Sequence, residues 1–177
     1  VSVETCDEAL TAIERPGTAS VQIVLNAFRL KPLERVLPAA KAAGVGIIAR
    51  VPLASGLLSD RYSATTEFAA NDHRTYNRDG SHFDVGETFA GVDFSTGVRA
   101  AAELASFAPA GLTPAQAALA WVSQQDGVTS VIPGARTIAQ AEANAAAGAA
   151  GPLPADYLQA VRRIYDDDIK NAVHDRW

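Results

Sequence analysis

Short apolar runs and longer helical periods take turns along the first third of the chain. Val21–Leu25 reads Val-Gln-Ile-Val-Leu, a compact run suited to a strand buried on both faces. Leu33, Val36, Leu37 and Ala40 then recur at helical spacing, and Gly44 stands where a left-handed cap would close that helix. Val45–Ala49 is a second β-branched run. Ahead of both, Val1-Ser2-Val3 reads as a strand. Thr5, with Glu8 three residues on, spells a capping box for a helix to about Glu14, which Pro16-Gly17 ends. The order strand, helix, strand, helix, strand predicts parallel pairing through right-handed crossovers.

From Arg50 to Phe94 no period is sustained. The stretch is rich in Asp, Asn, Gly and Thr, with Phe68, His73, Tyr76, His82, Phe83 and Phe89 scattered through it. A loop of this length inside a compact domain is functional or disordered, and the aromatics favour the first. Regularity returns with Val98, Ala101, Ala102, Leu104 and Ala105, a helix ending near Phe107. Thr113-Pro114-Ala115-Gln116 opens the next helix with a capping residue, a first-turn Pro and a reciprocal Gln. That helix ends at Asp126-Gly127. Val128–Ile132 reads as a fourth strand, and Thr137 with Gln140 begins another helix. A last amphipathic helix, about Asp156–Lys170, is expected to place Leu158, Val161, Ile164 and Tyr165 on one side.

Composition narrows the class. The 177 residues amount to about one domain. With 48% hydrophobic and 20% charged residues the chain can bury a core. Its net charge of −5 argues against a nucleic-acid footprint, and no apolar run suggests a membrane span. A single cysteine, Cys6, excludes an internal disulfide framework and a multi-cysteine metal cluster, so a reducing, cytoplasmic setting is expected and no metal site is assigned. Cys6 itself reads as a small buried residue. The absence of methionine, together with the strand-like opening, points to a piece of a longer protein.

Two segments carry candidate chemistry. In Val131-Ile132-Pro133-Gly134-Ala135-Arg136-Thr137 a strand runs through a glycine turn into a helix. Free N–H groups at a helix start favour an anion, Gly134 lets it approach the backbone, and Arg136 can add a charged fork. Arg136, Gln140 and Asn144 are spaced by four and share one helix face. By spacing alone this row fits either a phosphate followed by a base or a capped helix with a solvated polar face. The second segment, Val45–Leu58, is a strand ending in the small residues Ala54, Ser55 and Gly56, at the end where barrels and open sheets place their sites. A backbone-hugging diphosphate and an ordinary strand-to-helix turn both fit it.

Taken together, the segments IARVPLASGLLSDRY (Ile48–Tyr62) and VIPGARTIAQAEAN (Val131–Asn144) resemble the last two cofactor-contacting segments of the aldo-keto reductases. Val1–Val3 and Val21–Asn26 resemble the two strands before them, so the resemblance spans the chain in the right order. It implies an α/β fold: a TIM (β/α)8 barrel of the aldo-keto reductase type. Residues 1–177 would be its C-terminal half, about four βα units with a long substrate-side loop at about 62–94. The implied cofactor is NADP(H), bound without a Rossmann fold. Position by position, Ser2 and Gln22 would hold the nicotinamide carboxamide and Arg50 would lie against the nicotinamide ring. Pro52, Leu53, Gly56, Leu58 and Arg61 would line the diphosphate. Gly134, Arg136, Gln140 and Asn144 would bind the 2′-phosphate and adenosine, the arginine favouring NADP over NAD.

Two positions depart from the family pattern: Val3 stands where members carry Asn, and Arg50 where they carry an aromatic, so Arg50 is also a candidate contact for an acidic substrate. No catalytic residue is assigned. The tyrosine proton donor and its Lys, Asp and His partners belong to the half of the barrel not represented here; Tyr62 and Tyr76 lack a matching Lys and Asp pattern, and His73 and His82 read as solvated loop residues rather than proton shuttles. The expected reaction is carbonyl reduction to an alcohol by hydride transfer. The expected partners are a small carbonyl or alcohol substrate and the N-terminal half of the barrel, without nucleic acid or membrane. The alternatives are a non-catalytic nucleotide-binding module and an inactive fragment of a reductase.

Overall fold

A computed structural model describes all of residues 1–177. Three strands, β1 (Ser20–Val24), β2 (Gly46–Arg50) and β3 (Val128–Val131), form one parallel sheet in sequence order. The strand expected at Val1–Val3 is corrected to a single bridge. Ser2 pairs with Gln22, the Val3 N–H donates to the Gln22 carbonyl at 3.0 Å, and the Gln22 N–H donates to the Val1 carbonyl at 2.7 Å. The reason is local. The capping box at Thr5 and Glu8 turns the backbone into α1 (Cys6–Ile13) only three residues after Val3, which leaves no length for a ladder.

The sheet has two unlike faces. Val21, Ile23, Ile47 and Ala49 are at most 1% exposed, on the side packed by α1, α2 (Val36–Ala43) and α5 (Pro114–Ser123). On the other face Ser2, Gln22, Ile48 and Ser130 stand side by side in register, each partly or largely exposed. In a closed barrel such a face points inward and is filled by layers of side chains. Here helices cover one side of a parallel sheet whose second side is half open.

The other helices follow their capping signals. Gly44 ends α2 at φ 68°, the left-handed conformation that glycine adopts without a Cβ penalty. α4 (Phe94–Ala105) begins a turn earlier than its apolar period shows, because Asp93 accepts from the Thr96 N–H at 3.0 Å. Thr113 and Gln116 cap α5 reciprocally at 3.0 and 3.2 Å. α6 (Ile138–Gly148) starts after Thr137, whose hydroxyl accepts from the Gln140 N–H at 3.2 Å.

The last helix is not continuous, and one of its expected core positions is corrected. α7 (Ala155–Ile164) passes through a π turn at Tyr165–Ile169 into the short helix Lys170–Val173. The widened turn keeps Tyr165, Ile169 and Val173, spaced by four, at 1% exposure or less while Asp166, Asp167 and Asp168 face outward or the rim. Leu158 is exposed; Tyr157, one residue earlier, takes the inward place with Val161 and Ile164.

The stretch between β2 and α4 is ordered by its own side chains rather than by a period. A short helix, α3 (His73–Tyr76), sits within it. Tyr62 meets Phe68 edge-on with centroids 5.1 Å apart, and Phe89 lies 4.9 Å from Phe94. Arg74 caps this cluster 4.3 Å above Phe68 and is held there by Asp72, whose carboxyl its hydrogen bonds keep well below the usual carboxylate range. Buried Asn77 accepts from the His82 and Phe83 N–H groups at 3.0 Å each and donates to Thr88 at 3.1 Å. No helix is long and apolar enough to cross a membrane.

Candidate functional site

The C-terminal ends of β2 and β3 lie side by side, and both candidate segments leave from them. Ala49 pairs with Val131, and the Ile132 N–H donates to the Ala49 carbonyl at 3.0 Å. Beyond Arg50 the backbone is contorted. Val51, Ala54 and Ser55 have φ of 53°, 48° and 56°, and Gly56 has φ of 96°. Each left-handed L-residue costs about 1–2 kcal/mol, most for a β-branched one. Such strain persists only where the surroundings over-determine it, typically at ligand-holding loops.

Those surroundings can be named. Fully buried Asn26, just past β1, donates to the Val51 carbonyl at 2.9 Å and accepts from the Phe28 N–H at 2.8 Å. The Ser55 hydroxyl donates to the Glu87 carbonyl and accepts from the Phe89 N–H, both at 3.0 Å. The Tyr62 hydroxyl donates to the Ser55 carbonyl at 3.3 Å and lies so close to Gly56 that a Cβ there would overlap it. Pro52 is buried, Leu53 half-buried and Arg61 exposed. Leu58 is packed into the core with its N–H on the Leu53 carbonyl, so its side chain is withdrawn from any ligand over this loop.

Arg50 ends β2 inside a carboxylate pair. Its guanidinium is ion-paired to Glu87 and to Glu4 (3.0 Å) and donates to the Val3 carbonyl at 2.9 Å. With two carboxylates against one arginine, the cluster carries no surplus positive charge for an acidic substrate. The Arg50 Nε–H remains buried without an acceptor. A buried donor left unpaired is costly. Beside it, Gln22 donates to the Ser2 hydroxyl at 3.1 Å.

At the start of α6 the predicted row does two jobs. The Gln140 side chain accepts from the Arg136 N–H at 2.7 Å, and Asn144 donates to the Gly134 carbonyl at 3.1 Å. Both fix the loop. The Arg136 side chain is exposed and enters no ion pair, and a Cβ on Gly134 would meet nothing within 4 Å. The open space over Gly134, the unpaired guanidinium and the helix start form a place where a phosphate fits.

A profile described as the aldo/keto reductase family matches residues 1–166. The chain belongs to that family. Among characterised relatives, aldo-keto reductase str7 of Strobilurus tenacellus is 30% identical over 153 residues, covering 84% of this chain and 43% of that protein. Among solved structures, the glycerol dehydrogenase AKR11B4 of Gluconobacter oxydans superposes with a TM-score of 0.67 at 23% identity, over 85% of this chain and 43% of that one. The holo form of the aldo-keto reductase AKR11C1 of Bacillus halodurans gives 0.62 at 21% identity, over 92% and 49%. The chain thus spans about half the length of the relatives it matches. Its three-stranded parallel sheet is consistent with part of an aldo-keto reductase barrel.

Within this aldo/keto reductase chain, Ser2 and Gln22 pair at the bridge beside β1, Arg50 ends β2, and Pro52, Leu53, Gly56, Leu58 and Arg61 follow it, while Gly134 and Arg136 follow β3 and Gln140 and Asn144 lie in α6. The structure brings Ser2, Gln22 and Arg50 together on the open face or at its rim, and sets the 51–61 and 134–144 segments on adjacent strands. It shows three further residues that the sequence reading left aside: Asn26, Glu4 and Glu87. Asn26 was visible as a polar residue directly after an apolar strand. Glu87 carried no local signal, because its partner lies 37 residues away.

Proposed function

We propose that this chain supplies the cofactor-binding half of an NADPH-dependent carbonyl reductase. The observation that carries the reading is the pairing of the strained Val51–Gly56 loop with the open, arginine-flanked turn at Gly134, on neighbouring strand ends. Gly134 and Arg136 suit the 2′-phosphate, and the helix start adds its partial positive charge. The backbone around Gly56 suits the diphosphate. Ser2 and Gln22 supply polar partners for the carboxamide end.

The bound dinucleotide would supply hydride for reduction of an aldehyde or ketone. This chain's residues bind and orient it, while proton donation falls to residues of the complementary half of the barrel. That half and a small carbonyl or alcohol substrate are the proposed partners, and a reducing, cytoplasmic setting suits the free, buried thiol of Cys6. The experiment is a titration of the intact protein with NADPH and NADH, followed by tryptophan fluorescence. The expected result is saturable quenching by NADPH, weakened at least tenfold by Arg136→Ala. No quenching, or equal quenching with and without Arg136, overturns the reading. Tight binding without turnover of any carbonyl selects the non-catalytic nucleotide-binding module instead.

A further inference from the structure

Trp177 is only 5% exposed, although no helix or strand contains it. Its indole lies under the Arg29 guanidinium, whose Cζ is 3.7 Å from the ring centroid, and its Nε1–H donates to Asp84 Oδ1 at 3.0 Å. The Arg176 guanidinium lies 4.5 Å from the same ring. Arg29 is 2% exposed, burial pulls its pKa down to about 10, and its Nη2 donates to the Ala90 carbonyl at 3.2 Å. A Cβ on either Gly86 or Gly91 would come within 2.9 Å of the Trp177 ring, so the indole fills a slot that only glycines leave open. The segment 84–91 is therefore fastened on one side by Trp177 and Arg29. On its other side the same segment carries Glu87 to Arg50, and the Glu87 carbonyl and Phe89 N–H to the Ser55 hydroxyl.

We propose that Trp177 is a positioning residue for dinucleotide binding: by seating the 84–91 segment it holds Ser55 and the left-handed Val51–Gly56 loop in the shape that receives the diphosphate. The inference rests on the reading of that loop as a cofactor segment. It separates the two ends of the ligand. The Gly134–Asn144 turn has its own anchors in Gln140 and Asn144, and nothing in the Trp177 cluster touches it.

The test measures calorimetric affinities of the intact protein for NADPH and for adenosine 2′-monophosphate, which lacks both the diphosphate and the nicotinamide half. Trp177→Ala is expected to weaken NADPH about tenfold or more and to change the monophosphate by less than about twofold. Trp177→Phe keeps a stacked ring but loses the indole N–H, and should fall between wild type and Trp177→Ala. In a Ser55→Ala background the added effect of either variant should shrink, because the two act through one path. Trp177→Phe decides the question where Trp177→Ala does not fold. Equal loss for both ligands, or no loss for NADPH, overturns the proposal. Failure of the wild-type protein to bind either ligand overturns the cofactor reading and this proposal with it.

Discussion

The Asn144 side-chain amide donates to the Gly134 carbonyl at 3.1 Å, bridging two turns of α6 back to the loop that precedes it. Asn144 is thus a brace for the turn, whereas Arg136, expected on the same helix face, lies in the loop just ahead of the N-cap Thr137 with its side chain exposed. The two should fail differently. Arg136→Ala is expected to erase the preference for NADPH over NADH while leaving the melting temperature unchanged. Asn144→Ala is expected to weaken both nucleotides by a similar factor and to speed amide exchange at residues 134–137. Parallel titrations with the two nucleotides check both outcomes.

The two glycines of the candidate site also separate. Gly56 has φ of 96° and sits against the Tyr62 hydroxyl. Gly56→Ala is expected to cost about 2 kcal/mol or more in denaturant unfolding, combining left-handed strain with overlap. Gly134 has open space around the place a Cβ would take. Gly134→Ala should stay within about 0.5 kcal/mol of wild type and yet weaken NADPH, because on the proposed reading the added methyl would stand in the path of the 2′-phosphate.

Much of the frame was legible because it is written in local rules. Capping boxes at Thr5 and Thr113, the left-handed Gly44 and the three apolar runs each act within a few residues, and the elements they predict stand within a few residues of their places; the strand expected at Val1–Val3 shrank to a bridge. The stretch from Arg50 to Phe94 was opaque for the opposite reason. Its order comes from Asn77, from the Tyr62–Phe68–Phe89–Phe94 cluster and from contacts such as Arg29 with Ala90, 61 residues apart. The chemistry was legible only through the family resemblance, since spacing alone allowed a solvated face for Arg136, Gln140 and Asn144. The partners of Arg50 lie on separate segments, one of them across the long loop, and no periodicity could have named them.

Capping provides a stability test independent of the site. The Thr113 hydroxyl accepts from the Gln116 N–H, and the Gln116 side chain accepts in return from the Thr113 N–H. α5 packs against β3 and carries the buried Trp121. Thr113→Ala is expected to lower unfolding free energy by about 1 kcal/mol, read as a shifted denaturation midpoint with an unchanged slope. Nucleotide affinity should not move.

Alkaline pH should unfold the protein through its buried tyrosines. Burial pushes Tyr165 up to about 12 and raises Tyr157 as well. In the unfolded chain both titrate near about 10. Above that value the unfolded state has released protons that the folded state retains, so stability falls as pH rises. Below it both states hold the protons and this contribution is complete and flat. Urea midpoints measured across the alkaline range should therefore decline from about pH 10 upward. Tyr165→Phe, whose phenol also shares a 2.8 Å hydrogen bond with His174, should flatten the decline.

The outer edge of β3 is the place where another strand would add. Thr129 and Ser130 are exposed there, Ile132 and Ile138 are 46% and 80% exposed beyond it, and a cleft of about 240 Å³ runs beside it between Leu119, Val131 and Pro133. β1 is less open, because Val1–Val3 bridge its outer side. An uncovered edge flanked by apolar side chains recruits another chain. Residues 1–177 expressed alone are expected to sediment as dimers or larger species. Ile138→Glu should reduce that association and at the same time favour α6, since a carboxylate in the first turn complements the helix dipole. A monomer that melts in one cooperative step would show instead that this edge needs no partner, and that the half-open face is stable in water by itself.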